Sequence, residues 1–276
     1  MNEIINRDRN EIARGGGGKK YPVGYALSGG FIKGFAHLGV MQALLEYNVK
    51  PDIIAGVSAG ALASVFYADG NEPYKVLDFF SGHKFRDLTN WVIPKKGLFD
   101  LSELVEFLES NLKAKNLEEL KIPLIVTATD FDHGRVTHFR KGAIAPRVAA
   151  SCSMPVIFAP INIDGVNYVD GGVLMNLPVA VLRKSCERVV AVNVSPLMAD
   201  AYKKNIISIA MRSFHFMLRA NTLPATERCD LLIEPYNLYG YSNTELEKAE
   251  EIFEQGYNAA NEVIDRLLAE KGTIWK

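Results

Sequence analysis

Ile53-Ile54-Ala55-Gly56-Val57-Ser58-Ala59-Gly60-Ala61-Leu62 reads as an apolar strand that passes straight into a helix. No charge falls between Asp52 and Asp69, so both elements belong to a buried interior. The run is shorter than the roughly 20 apolar residues of a membrane span. Ser58 stands at the junction. A serine in an open loop is solvated and free to rotate, whereas one at a sharp strand-to-helix turn projects its hydroxyl from the sheet at one point. Gly56 and Gly60 flank a turn whose close backbone contacts leave no room for side chains. The helix beginning after Ser58 turns free N–H groups and its positive dipole end toward any developing negative charge. The pattern predicts a nucleophilic serine and acyl-hydrolase chemistry.

On both sides of this elbow, buried strand patterns alternate with helical ones. Val23 to Leu27 reads as a first strand. A glycine-rich turn from Gly29 to Gly34 follows, then a helix from Phe35 to Tyr47 with Leu38, Met41, Leu44 and Leu45 on one side. Ser102 to Leu112 is amphipathic. Ile122 to Thr129 is a β-branched buried strand, with Arg135 to Phe139 as its partner. Ile144 to Ala150 reads as a short helix, and short strands are expected at 156–158, 161–163 and 167–169. Val189 to Val194 and Leu231 to Glu234 complete the strands. Ile206 to Leu218 and Asn243 to Leu268 read as helices, the latter interrupted near Gly256. The alternation predicts an α/β fold with a mainly parallel sheet covered on both faces. Residues 1–20, with Gly15-Gly16-Gly17-Gly18, read as a flexible arm. Residues 21–276 read as a single domain.

Composition narrows the function. Apolar residues make up 48% of the 276 and charged residues 23%, as in an ordinary globular protein. A net charge of −1 gives no electrostatic footprint for nucleic acid. Cys152, Cys186 and Cys229 are odd in number and widely spaced, which fits neither a disulfide framework nor a zinc site. No metal and no cofactor are expected. The polar stretch Met1 to Lys20 has no apolar signal core, so a cytoplasmic location is expected, with any membrane contact peripheral and at the inner surface.

Two further segments carry chemistry. Ser28-Gly29-Gly30-Phe31-Ile32-Lys33-Gly34 is a glycine-rich strand-to-helix turn. Its spacing is wrong for a dinucleotide fingerprint, because Phe31 occupies the place of the middle glycine, and it lacks the Gly-Lys-Ser/Thr of a phosphate loop. The remaining use is an oxyanion hole built from the N–H groups of Gly29, Gly30 and Phe31. In Tyr168-Val169-Asp170-Gly171-Gly172 an aspartate ends a strand and two glycines permit a tight turn. A serine nucleophile needs a base. Asp170 supplies one directly in a Ser–Asp dyad. The other arrangement is a triad through His215, the one histidine after Asp170.

The three sites in this order resemble the patatin-like phospholipase family, from about Tyr21 to at least Pro178. Phe35-Ala36-His37-Leu38-Gly39-Val40, Ala150-Ser151-Cys152-Ser153-Met154-Pro155 and Asn176-Leu177-Pro178 extend the likeness. The resemblance implies a three-layer α/β/α sandwich and hydrolysis of lipid esters, with phospholipid, lysophospholipid or acylglycerol as substrate. It assigns Ser58 as nucleophile, Asp170 as base and the Gly29-Gly30 turn as oxyanion hole, with Lys33, Gly34, Gly56, Gly60, Gly171 and Gly172 shaping the turns. Many members carry a third glycine where this chain has Phe31, and arginine where it has Lys33. A Cβ at Phe31 penalises a left-handed backbone by about 1–2 kcal/mol. A domain that binds lipid or a protein partner with little turnover is therefore the alternative to an enzyme. Phe79 to Phe99 and Ile206 to Leu218 are the candidate linings of an acyl pocket.

Overall fold

The computed structural model describes residues 18–81, 100–195, 204–238, 241 and 246–275. Residues 1–17 of the expected arm, and Phe85, Trp91 and Phe99 of the aromatic stretch, lie outside the described residues. The apolar runs form strands β1 (Tyr21–Leu27), β2 (Ile53–Val57), β3 (Leu124–Asp130) and β7 (Cys186–Val192), all paired in parallel. β8 (Leu231–Ile233) extends this parallel set beyond β7. At the other end β4 (Arg135–Phe139) and β6 (Val166–Asp170) pair antiparallel with β3, and β5 (Ile161–Ile163) pairs antiparallel with β6. The resulting eight-stranded sheet runs β5-β6-β3-β2-β1-β7-β8, with β4 off this path on β3.

Strand alternation divides the core in two. Tyr25 and Leu27 of β1, Ile54 of β2 and Val190 of β7 face one side. They meet α1 (Phe35–Glu46), α2 (Ala59–Ala68), α3 (Pro73–Ser81), α4 (Ser102–Asn111) and α8 (Ala249–Lys271). Ala26, Ile53, Ala55 and Ala191 face the other side, against Val179 and Leu182 of α6 (Val179–Arg183). Helices thus cover both faces of a mainly parallel sheet, the three-layer α/β/α arrangement. Two further helices complete the description: α5 (Ile144–Cys152) and α7 (Ile206–Thr226).

Four expectations change. Residues 155–157 form a turn and not a strand, because Val156 adopts φ 77°, outside the extended region. α7 runs on to Thr226, past the expected end at Leu218, and carries Pro224 inside it. Phe79 and Phe80 belong to the core, where Phe80 meets Phe66 edge-on at 5.2 Å, and do not line a separate pocket. α8 continues without a break through Gly256. The reason is a close helix crossing. A Cβ on Gly256 would collide with the Ala36 carbonyl of α1, and one on Gly39 with the Phe253 carbonyl of α8. Each glycine lets the partner's backbone approach. Replacing either by alanine forces two helices apart. Gly39→Ala and Gly256→Ala are each expected to destabilise by about 1–3 kcal/mol, read as a lower denaturant midpoint at unchanged slope.

Candidate active site

The site follows from register. Val57, the last residue of β2, pairs with Thr127 of β3. Asp170, the last residue of β6, pairs with Ala128, the next residue of β3. β4 occupies the other edge of β3 over this stretch, so β2 and β6 share one edge. β2 runs parallel to β3 and β6 antiparallel, and their C-terminal ends therefore meet end to end. One residue past that junction is Ser58, at φ 51° and ψ −122°. This is an uncommon conformation for a residue with a side chain, held by the surrounding sheet.

The Ser58 hydroxyl lies beside the Asp170 carboxylate, close enough to favour its charged form. Asp170 is buried, and its Oδ1 also accepts the Gly172 N–H at 2.7 Å. Burial pushes its pKa up from the ordinary carboxylate value to about 6, against the opposing pull of the nearby Ser58 hydroxyl and the Gly172 N–H. The elbow is tied down from behind. The Ser58 N–H donates to Ser151 Oγ at 2.8 Å, and that hydroxyl donates to the Thr127 carbonyl at 2.7 Å. Gly171 passes so close to the Thr127 carbonyl that a Cβ would collide with it. The half-buried Cys152 thiol, at the end of α5, lies beside Ser58. Burial and then the Asp170 charge raise its pKa, which keeps it a neutral thiol.

The turn after β1 lies against this pair: a Cβ on Gly29 would come within 3.3 Å of Ser58 Cβ. The Gly29 N–H is committed to Asn176, at 3.3 Å from the backbone carbonyl and 3.1 Å from Oδ1. The Gly29 carbonyl accepts two hydroxyls, Ser28 Oγ at 2.9 Å and Ser195 Oγ at 2.8 Å. In a trans peptide the carbonyl and the following N–H point in opposite directions. Holding the Gly29 oxygen therefore aims the Gly30 N–H the other way. The amides of Gly30 and Phe31 make no hydrogen bond among the described residues. Below the turn, the fully buried His37 places Nε2 2.8 Å from the Ser28 carbonyl. A carbonyl only accepts, so Nε2 carries the proton. His37 Nδ1 has no hydrogen-bond partner, and burial lowers the ring pKa to about 4, so it is neutral at physiological pH.

Gly30 has φ 172°, an extended backbone, and the left-handed residue of the turn is Phe31, at φ 53°. The turn thus adopts the geometry that a third glycine would give freely. The Phe31 ring packs in a cluster with Leu101, Met154, Phe158, Phe214 and Leu218. Burying an aromatic ring contributes about 2 kcal/mol, enough to offset the backbone cost. Its edge contacts the His215 ring, with centroids 6.2 Å apart. His215 therefore lies by the turn after β1. Of the supporting residues, Lys33 donates its N–H to the Gly30 carbonyl at 3.1 Å. Gly34 abuts Ala59, Gly56 abuts Ala61, and Gly60 abuts the Leu27 and Ser28 carbonyls, in each case too closely for a Cβ. No cluster of three His, Cys, Asp or Glu side chains occurs among the described residues.

Sequence reasoning missed the roles of Ser28, His37, Ser151, Cys152, Asn176 and Ser195. Asn176 and His37 lie within quoted motif segments, but nothing in their spacing shows which atoms they hold. Ser195 follows the C-terminal end of β7, and crevices beyond the C-terminal strand ends are where α/β sheets place ligands. That was the available signal.

Comparison with known proteins identifies relatives of this chain. An uncharacterized NTE family protein of Mycobacterium tuberculosis is 32% identical over 166 residues, 57% of this chain and 44% of that protein. Protein YqhO of Bacillus subtilis, also uncharacterized, is 29% identical over 213 residues, 65% of this chain and 73% of that protein. The chain thus spans less than half the length of the mycobacterial relatives it matches. The crystal structure of VipD from Legionella pneumophila covers 90% of this chain, and 67% of its own chain is matched. Its TM-score is 0.51 at 17% identity, a likeness of fold. The model of the patatin-like phospholipase family matches residues 25–183, more than half of the chain, and the protein belongs to that family.

Proposed function

We propose that this protein is a lipid acyl hydrolase that works through a Ser58–Asp170 dyad and an acyl-enzyme. The observation that carries the reading is the placing of the Ser58 hydroxyl, at a strained elbow, beside a buried carboxylate with a raised pKa. Family membership supports lipid esters as the bond class, and one relative, from Cryptococcus neoformans, is named a lysophospholipase.

The ester carbonyl enters between Ser58 and the turn after β1. Asp170 accepts the Ser58 proton as Oγ attacks the carbonyl carbon. The carbonyl oxygen becomes negative and is met by the N–H groups of Gly30 and Phe31. Losing one such donor typically costs about 3–4 kcal/mol of transition-state stabilisation. Gly29 serves as the pivot, because its own N–H is held by Asn176. The tetrahedral intermediate collapses, protonated Asp170 gives its proton to the leaving alcohol, and the acyl group stays on Ser58. Water then repeats the sequence with Asp170 again as base. An ordinary aspartate is a weak base for serine. Burial of Asp170 raises its pKa to about 6 and strengthens it as a base without recruiting a histidine. The apolar cluster around Phe31, Phe158, Phe214 and Leu218 adjoins the oxyanion turn and is the proposed wall for the acyl chain.

Phospholipid, lysophospholipid and short p-nitrophenyl esters are the substrates to test. Ser58→Ala is expected to abolish acyl release and labelling by a fluorophosphonate, and folded Asp170→Asn is expected to lose at least about a hundred-fold in kcat. Full activity in folded Asp170→Asn rejects the dyad, and unchanged labelling in Ser58→Ala rejects the nucleophile. His215→Ala is expected to leave short-ester hydrolysis largely unchanged.

Asp170 must be ionised to accept the proton, so kcat/KM is expected to rise with pH through a midpoint of about 6. A rising limb centred below 5 contradicts a buried base. The same carboxylate has a stability signature. Its folded pKa lies above the unfolded value of 3.8, so folding binds the proton more tightly. Its contribution is most favourable below about pH 4 and is lost as pH rises through about 6. Asp170→Asn is therefore expected to gain about 2–3 kcal/mol of stability at pH 8 and little at pH 4, read from denaturant unfolding at both values.

Removing the Ser195 hydroxyl leaves the Gly29 carbonyl with one of its two donors. Ser195→Ala is expected to lower kcat about ten-fold with KM little changed, a fraction of what losing a whole oxyanion donor costs. Ser195→Thr keeps the hydroxyl and is expected to retain most of the rate. Equal loss of kcat in both variants contradicts the steering role.

A further inference from the structure

α7 is apolar on two faces. Its inner face carries Phe214 and Leu218, buried in the cluster beside the oxyanion turn. The same face is latched to the Asp170 loop. Asn221 Nδ2 donates to the Gly172 carbonyl at 2.7 Å, and Asn221 Oδ1 accepts the Asn176 N–H at 2.7 Å. The outer face is also apolar and faces solvent: Ile206 is 85% exposed, Ile209 49%, Phe216 50% and Leu223 53%. Positions 206, 209, 213, 216, 220 and 223 alternate steps of three and four, which places them in one stripe along the helix. Met217, 42% exposed, widens the stripe.

The charge on this element has one sign. α7 contains Arg212 and Arg219 and no aspartate or glutamate, and Lys204 and Arg228 flank it. Between Lys204 and Arg228 the sequence has one acidic residue, Glu227. This stands out in a chain whose net charge is −1. A second copy of α7 is a poor occupant of the stripe, because it brings cations against cations. An occupant that is apolar and carries negative charge complements both features of this face. No helix among the described residues is long and apolar enough to cross a membrane, so an apolar stripe with basic flanks suits a helix lying in the plane of a lipid interface.

We propose that the outer face of α7 is the docking surface for an anionic phospholipid bilayer. Ile206, Ile209, Phe216, Met217 and Leu223 enter the headgroup–acyl boundary, and the basic residues face the lipid phosphates. Each basic residue near an anionic surface contributes about five-fold to partitioning at low salt. The inner face of the same helix borders the proposed acyl wall, so docking brings the bilayer to the side of the molecule where an acyl chain would be drawn in. This assignment rests on the lipid acyl hydrolase reading for its purpose, but its binding test is independent of turnover.

The test is cosedimentation with vesicles of phosphatidylcholine mixed with phosphatidylglycerol, against vesicles of phosphatidylcholine alone. It compares the wild-type chain with the Ile209→Glu/Phe216→Glu variant. Both sites are on the outer face and outside the apolar cluster with Phe214 and Leu218, so within the segment expected to line an acyl pocket they are not part of the wall, and circular dichroism and melting temperature verify folding. The wild type is expected to pellet with anionic vesicles, at least about ten-fold more than with neutral ones, and to be released by high salt. The variant is expected to lose about ten-fold or more in partitioning while hydrolysing a soluble short-chain ester at the wild-type rate.

A wild type that stays in the supernatant overturns the proposal, and so does a variant that pellets equally well. A concentration-dependent wild-type dimer that the variant abolishes also overturns it and assigns the face to a second copy. Saturable capture by an acidic peptide without any vesicle binding assigns it to a protein partner and equally overturns it. Ester hydrolysis without sedimentation defeats the docking surface and leaves the enzyme. Sedimentation without hydrolysis by the wild type defeats the enzyme reading and leaves the surface.

Discussion

The site depends on two strands meeting end to end along one edge of β3. Val57 and Asp170 pair with Thr127 and Ala128, so the hydroxyl and the carboxylate are placed by backbone ladders and not by flexible loops. A ladder fixes position to within a fraction of a residue, because slipping by one residue turns every side chain to the other face. Such a slip here would exchange side chains between the two cores, setting large residues such as Ile54 in the layer built around Ala55 and leaving small ones in their place. The register that keeps the two hydrophobic layers apart is thus the register that brings Ser58 to Asp170. Fold stability and site geometry are enforced by the same hydrogen bonds.

A second layer of constraint surrounds that junction, and it is made of hydroxyls, amides and one neutral imidazole. Ser151 ties the elbow to β3, Asn176 ties the Asp170 loop to the turn after β1, and Ser195 ties that turn to the end of β7. His37 closes the set from below. None of these groups carries charge at neutral pH. A buried cation in the same places would draw Asp170 toward an ordinary carboxylate value. Neutral hydrogen bonds hold the geometry while leaving the carboxylate surrounded by low-polarity atoms, which is what raises its pKa.

Much of this was legible in the sequence, and the boundary is physical. Ser58, Asp170 and the turn at Gly29–Phe31 announced themselves because strained turns need glycine, and glycine leaves a pattern. The mainly parallel sheet announced itself through continuous apolar runs such as Ile53–Val57. The break expected at Gly256 was wrong because a glycine in a helix has two uses. It weakens an isolated helix, but it also admits a neighbouring backbone. Only the position of Ala36 shows which applies. Ser195 and His37 were silent for a related reason. Their function lies in which atom they hold, and contacts spanning 166 residues, as from Ser195 to Gly29, leave no local periodicity. The extended pattern at 156–158 misled because Val156 is β-branched, a strand signal, while its backbone adopts φ 77°.

Val156 belongs with Ser58 and Phe31 in a set of non-glycine residues at positive φ. All three lie around the junction: Ser58 at the elbow, Phe31 beside it, and Val156 next to Ile157, which packs with Phe31 in the same apolar cluster. Each such conformation costs of order 1–3 kcal/mol, and ionising buried Asp170 adds a comparable amount. These costs are local, whereas the two cores and the parallel ladder that offset them extend across the molecule. A glycine at position 31 would relieve the backbone but remove a ring from the wall that faces Phe214 and Leu218. Phe31 therefore couples two demands at one residue: its backbone forms the left-handed bend of the turn beside Ser58 while its side chain fills the apolar cluster. A change in the size of that side chain acts on both at once, which is why the packing of the apolar cluster and the set of the turn after β1 cannot vary independently in this chain.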